Sequence, residues 1–254
     1  MILTIDIGNT NVAFGGFVDG ECTFVARVAT DPAQTEDEYA SKMLSILSLH
    51  GVDRDQLDGA IISSVVPQLT TVMKKAVAMI CGVEALVVGP GIKTGINIHC
   101  DAPSSVGSDL ICACVAVNHL YGSPALIVDM GTATKMMVLS DKGTFIGVSI
   151  IPGLRMGLRA LSEGTAQLPQ VSLEAPASVV GKNTVDAMKS GVIFGHASMV
   201  DGMIDRFDEE LGMSLPVYAT GGLSQLIVPH CKHDITLNDN LVLKGLELLY
   251  IKNR

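Results

Sequence analysis

The chain has 254 residues, enough for one large domain or two of ordinary size, and with 48% apolar residues it can bury a substantial core. A formal net charge of −9, with no long basic run and no tryptophan, argues against nucleic acid or an anionic membrane as the main partner. There is no apolar run of membrane-spanning length and no signal-peptide pattern at the N-terminus. The six irregularly spaced cysteines (Cys22, Cys81, Cys100, Cys112, Cys114, Cys231) read as reduced thiols, so a cytoplasmic protein is expected.

In chain order, Ile2-Leu3-Thr4-Ile5 predicts a short buried strand and residues 12–17 a second. Between them, Asp6-Ile7-Gly8-Asn9-Thr10-Asn11 predicts a tight turn with a carboxylate at the end of the first strand. That combination suits the phosphates of a nucleotide. Asp6 can hold Mg²⁺ directly or through water, Gly8 lets the backbone approach a ligand, and Asn9, Thr10 and Asn11 offer donors to an anion. A third strand is expected over 23–28. Thr35 followed by Glu38 is a capping box opening a helix with Tyr39, Met43, Ile46 and Leu47 on one face. A buried strand at 59–67 runs into a second helix, and a strand at 85–88 closes on Gly89-Pro90-Gly91. Residues 103–120 predict a helix joining two halves.

The second half repeats the plan. Strands are expected near 125–129, 134–140 and 144–150, a short helix after Pro152-Gly153, and helices over about 184–211. A strand at 216–219 leads into Thr220-Gly221-Gly222, whose glycines would let a flat base or ribose approach the backbone. A short helix, a strand at 234–237 and a last helix over 240–252 complete the chain. Asp129-Met130-Gly131-Thr132-Ala133-Thr134 follows the apolar strand 125–128 as the Asp6 turn follows the first strand, and the two aspartates are 123 positions apart, close to half the chain. The expected fold is therefore α/β, two duplicated ribonuclease-H-like (actin-like ATPase) domains over 1–117 and 118–254 that flank an ATP cleft. His230-Cys231-Lys232-His233 lacks a second ligand pair at zinc-like spacing and reads as a solvated turn.

Several motifs, taken together, carry a resemblance. They are Asp6–Asn11, Ile62-Ser63-Ser64-Val65-Val66-Pro67, Val88-Gly89-Pro90-Gly91-Ile92-Lys93-Thr94-Gly95, Gly107-Ser108-Asp109, Val128–Thr134, Pro152-Gly153-Leu154, Thr165-Ala166-Gln167-Leu168-Pro169, Gly181-Lys182-Asn183-Thr184 and Ala219–Leu223. In this order and spacing the chain resembles the type III pantothenate kinases, of the acetate and sugar kinase, chaperone and actin superfamily, over practically its whole length. The resemblance implies ATP-dependent phosphorylation of pantothenate, the first step toward coenzyme A, by a homodimer. It places ATP and Mg²⁺ at Asp6, Ile7, Gly8, Asn9, Thr10, Asn11, Val12 and Ala13, with Thr132 as a further ATP contact. It implies Asp129 as the ligand of a monovalent cation, K⁺ or NH₄⁺, and Asp109 as general base toward the pantothenate hydroxyl. Gly107, Ser108 and Thr184, with the pocket positions Cys100 and Leu110, would contact the acceptor. A carboxylate near a helix start, like Asp109, stays ionised and can orient a hydroxyl.

The chain also departs from that pattern. Leu110 stands where the family has Arg, Cys100 where it has an aromatic, Ala102 where it has Asn, Lys135 where it has Thr, and Gly147-Val148 where it has a glycine pair. Loss of the Arg removes a multidentate donor for a carboxylate or phosphoryl group. The expectation is ordinary nucleotide affinity with weak or absent pantothenate phosphorylation, raised by Leu110→Arg alone or with Cys100→Tyr. The alternatives are a catalytically degenerate nucleotide-binding or regulatory paralogue, or a kinase for another small hydroxy acid.

Overall fold

The structure, a computed structural model, describes residues 1–165 and 167–254, so Ala166 of the Thr165–Pro169 motif lies outside the described residues. By its contacts the chain divides into two units, Met1–Leu120 with Leu241–Arg254, and Tyr121–Asn240. The sequence-based division at 117/118 instead groups the C-terminal helix with the second half.

In the first unit, β1 (Ile2–Ile7), β2 (Asn11–Val18) and β3 (Glu21–Ala29) form an antiparallel meander. Helix α1 (Glu36–Leu49) starts at the predicted capping box. The Glu38 N–H donates to Thr35 Oγ1, and the Thr35 N–H donates back to Glu38 Oε2 at 2.8 Å. Then β4 (Gly59–Ser64) returns parallel to β1, α2 (Pro67–Cys81) follows, and β5 (Leu86–Val87) completes the sheet in the order β3-β2-β1-β4-β5. Alternation along β1 sends Leu3, Ile5 and Ile7 into a core with Tyr39, Met43, Leu69 and Met73 from α1 and α2.

A short strand, β6 (Asn97–Ile98), and a 3-10 turn at Pro103–Ser105 precede α3 (Ser108–Leu120). The sheet's other face is covered by α3 and by α7 (Leu241–Asn253), through Phe17, Ile61, Ile111, Cys112, Val115 and Leu246. A side chain on Gly245 of α7 would run into the Cys112 carbonyl of α3, and one on Gly59 into the Tyr250 hydroxyl, so small residues set how closely these layers approach. The helix expected over 103–120 is thus interrupted at Val106-Gly107. It packs against α7 within the first unit and does not act as a connector.

The second unit has β7 (Ala125–Met130), β8 (Ala133–Leu139), β9 (Thr144–Pro152), α4 (Leu154–Glu163), α5 (Thr184–Leu211), β10 (Val217–Thr220), α6 (Ser224–Ile227) and β11 (Ile235–Leu237). Its strands run β11-β10-β7-β8-β9, with β7 antiparallel to β8, β8 antiparallel to β9, and β10 parallel to both β7 and β11. This is the first sheet's plan strand for strand, so the expected duplication is present in the topology. Helix α6 is a single turn because Pro229, lacking an N–H, follows immediately in a 3-10 turn. The core lies between this sheet and α5, through Leu126, Val128, Ile193, Ala197, Val200 and Ile204. Among the described residues no helix is long and apolar enough to cross a membrane.

Candidate active site

In the first unit Asp6 is the fifth residue of β1, opposite Ala13 on β2 and Ser63 on β4. The turn after it is held by the Gly8 N–H donating to the Asn11 carbonyl at 3.0 Å. A Cβ on Gly8 would sit 3.1 Å from that same oxygen, so a side chain would crowd the turn. Thr30, just past β3, anchors the turn from outside: its hydroxyl donates to Gly8 O at 2.7 Å and its N–H to Thr10 O at 3.0 Å. Ile7 and Val12 are buried beneath it, Ala13 is half-buried, and Asn9, Thr10 and Asn11 stand at the surface. A buried base thus carries a rim of polar groups, as an anion site requires.

Helix α3 brings the next residues to the same end of this sheet. Ser108 Oγ lies 2.9 Å from Ser63 Oγ, accepts from the Ser64 N–H at 3.1 Å and donates to Ser64 O at 3.3 Å. These bonds tie the first residue of α3 to the end of β4, next to the strand that carries Asp6. Asp109 follows in the first helical turn, where the N–H groups of the helix start favour a carboxylate. A Cβ on Gly107 would come within 2.5 Å of Asp109 Oδ1, so glycine there leaves room for that carboxylate. Burial pushes the Cys112 thiol well above the ordinary thiol range, and the Asp6 and Asp109 carboxylates push it further. Leu110 is buried, only 6% exposed, and Cys100 is half-buried. That burial weighs against the expectation that Leu110→Arg would restore a working cation. The position is packed, and an arginine there would have to bury a guanidinium.

The second unit builds a matching turn with different chemistry. Asp129 is the fifth residue of β7, opposite Thr220 on β10, the position that Ser63 holds opposite Asp6. Its Oδ1 faces two glycines: a Cβ on Gly221 would lie 2.6 Å away and one on Gly131 3.4 Å away. Gly221 has φ +94° and fits only as glycine. The Gly131 N–H donates to Ala133 O at 3.2 Å, and a side chain on Gly153 would collide with the Thr132 carbonyl, so the Pro152-Gly153 turn is seated on the Asp129 turn. Thr132 is exposed. The other carboxylate oxygen, Oδ2, meets the Lys135 ammonium at 2.7 Å, with both side chains largely buried. Beneath them Thr134 Oγ1 is 2.9 Å from His196 Nε2, and burial lowers the His196 pKa.

Thr184 is the exposed first residue of α5, whose Asn183 cap accepts from the Asp186 N–H at 2.9 Å. At His230–His233 the Asp201 carboxylate accepts from the Lys232 and His233 N–H groups at 2.9 and 3.2 Å, so this segment is a capped turn. Among the described residues no group of three or more His, Cys, Asp or Glu could hold a metal ion. Mg²⁺ on a nucleotide asks less, one or two carboxylates with phosphate oxygens and water, and Asp6 beside its polar turn fits that need. A monovalent cation at Asp129 fits poorly, because the chain's own ammonium already holds Oδ2.

Two features escaped the sequence reading, and both had a signal. Three residues, 131–133, separate the paired Met130 and Thr134, which makes 129 and 135 directly opposed, so the Asp129–Lys135 pair follows from counting across the hairpin. The Ser63–Ser108 contact could have been sought once β4 was placed parallel beside β1.

The family model described as type III pantothenate kinase matches residues 2–206. Among solved structures, a Campylobacter jejuni protein assigned to the Baf family of transcriptional activators aligns with TM-score 0.61 at 19% identity, covering 99% of this chain and 98% of that one. Component A of (R)-2-hydroxyglutaryl-CoA dehydratase from Acidaminococcus fermentans aligns with TM-score 0.59 at 15% identity, covering 98% and 96%. The activator of 2-hydroxyisocaproyl-CoA dehydratase from Clostridium difficile, with bound ADPNP, aligns with TM-score 0.56 at 13% identity, covering 98% and 93%. At such identities these structures speak to the fold, the duplicated ribonuclease-H-like fold of actin-like ATPases. The match over most of the sequence decides the family: the chain belongs to the type III pantothenate kinases.

Proposed function

We propose that the protein phosphorylates the primary hydroxyl of pantothenate at the expense of ATP, with weak binding of the acceptor. The observation that carries this is the Ser63–Ser108 contact, which fixes the start of α3, with Asp109 as its second residue, to the strand beside the one that carries Asp6. In-line phosphoryl transfer has a loose transition state, so positioning and charge neutralisation matter more than covalent chemistry. The 6–13 turn binds the nucleotide. Asp6 holds the Mg²⁺ that neutralises charge on the phosphates when bound. Asp109 orients the acceptor hydroxyl and takes its proton late in transfer. Ser108, fixed on β4, keeps α3 and hence Asp109 in register with Asp6. Gly107 contacts the acceptor, as does the pocket wall at Cys100.

Leu110 favours one second reading, a kinase for a hydroxyl acceptor that lacks a carboxylate. A buried leucine offers no charge to the carboxylate of pantothenate. Losing a charged partner costs about 2–5 kcal/mol where the other group stays buried. Steady-state kinetics with pantothenate and with neutral alcohol analogues separates the two readings. Preference for pantothenate supports the first, and equal or better use of the neutral analogue supports the second.

A further inference from the structure

We propose that Lys135 is a tethered monovalent cation, its ammonium standing beside Asp129 in place of a free K⁺ or NH₄⁺, so that nucleotide binding by this chain is independent of the alkali cation. The geometry is set by the backbone. Asp129 and Lys135 are directly opposed residues of the antiparallel β7–β8 pair, and cross-strand neighbours on one face have side chains within contact. The Lys135 Nζ lies 2.7 Å from Asp129 Oδ2, a normal charge-assisted hydrogen-bond length. A lysine head is an ammonium ion with one hydrogen replaced by carbon, a compact point charge with three donors. It therefore supplies the charge and size of NH₄⁺, and a second cation at the same oxygen would meet like-charge repulsion.

The twin turn shows the contrast. Opposite Asp6, the position equivalent to Lys135 is Ala13, which carries no charge. The chain thus places its own lysine opposite one of its duplicated carboxylates and an alanine opposite the other. Asp129 Oδ1 occupies the space that a side chain on Gly221 would fill, so glycine there leaves room for the carboxylate beside the lysine. The nucleotide part of this inference rests on the kinase reading above; the cation part does not.

The test uses the full-length protein and its Lys135→Thr and Lys135→Gln variants in NaCl, KCl and NH₄Cl at equal ionic strength. Thermal melts without nucleotide and calorimetric titration with Mg·ADP are the two readouts. For the wild type, melting temperature and Kd should agree across the salts, Kd within about twofold. Lys135→Thr should acquire a K⁺- or NH₄⁺-specific rise in melting temperature and bind Mg·ADP about tenfold or more tighter in those salts than in Na⁺. A wild type that melts higher or binds about tenfold tighter in K⁺ than in Na⁺ overturns the proposal, as does a folded variant that responds equally to all three salts. Should neither variant fold, the wild-type series still decides. Should the wild type bind no nucleotide in any salt, the kinase reading fails, and the melts alone still judge the cation.

Discussion

Gly221 and Gly222 are adjacent, yet alanine at the two positions should do different things. Gly221 has φ +94°, and a Cβ there would lie 2.6 Å from Asp129 Oδ1 and 2.7 Å from the Met130 carbonyl. A non-glycine residue held in such a backbone region costs about 1–3 kcal/mol. Relieving the overlap costs about as much again, because Met130 is backbone and Asp129 is held by Lys135. The sum, about 2–6 kcal/mol, lowers the melting temperature by roughly 4–24 °C for a chain of this size. At Gly222 a Cβ would meet nothing within 4 Å and φ is outside the left-handed region, so Gly222→Ala should melt at or slightly above the wild type. The open space over Gly222 is where the nucleotide is expected, so that variant should bind Mg·ADP about tenfold more weakly. Circular-dichroism melts and titration calorimetry on both variants give the answer. Wild-type stability of Gly221→Ala would refute the packing argument around Asp129. Destabilised Gly222→Ala with unchanged affinity would refute the ligand role of that glycine.

Other consequences are as direct. Asp109→Asn should cut turnover about 10²- to 10⁴-fold with nucleotide affinity unchanged, and turnover within threefold of wild type would remove Asp109 as the base. Asp6→Asn should abolish Mg·ATP-dependent turnover while leaving the circular-dichroism spectrum intact; an unfolded variant would show that Asp6 is structural. Leu110→Arg should lower the melting temperature without raising turnover, since the position is buried, and a faster folded variant would contradict that. His196 is held below its ordinary value of 6.5 by burial, so it stays neutral in the fold after the unfolded chain has taken its proton. Its share of stability is full above pH 6.5 and is lost as pH falls below it. His196→Gln should flatten the decline in melting temperature between pH 7 and 5, and an unchanged slope would exclude His196 as the source.

The strand-turn-strand units around Asp6 and Asp129 were legible because apolar runs, a terminal carboxylate and a glycine are all local signals. So was the Thr35–Glu38 cap, which needs only three residues' spacing. The placement of α7 was not legible. Its apolar face would suit either sheet, and Gly245 against Cys112 and Tyr250 against Gly59 become partners only through long-range packing. The burial of Leu110 was hidden for the same reason: a helix start gives no sign of which first-turn side chain faces the core. Lys135 lies between these cases. Its register could be read across the hairpin, whereas its ion pair depends on which face of the sheet the glycines leave open.

The most direct test of the account is a coupled ADP-release assay on the wild-type protein with Mg·ATP, with and without pantothenate up to high millimolar levels. The account predicts ADP release that depends on pantothenate, saturates only at high concentration and is matched mole for mole by 4′-phosphopantothenate in the mass spectrum. Tight Mg·ATP binding with ADP release that pantothenate does not change would contradict it.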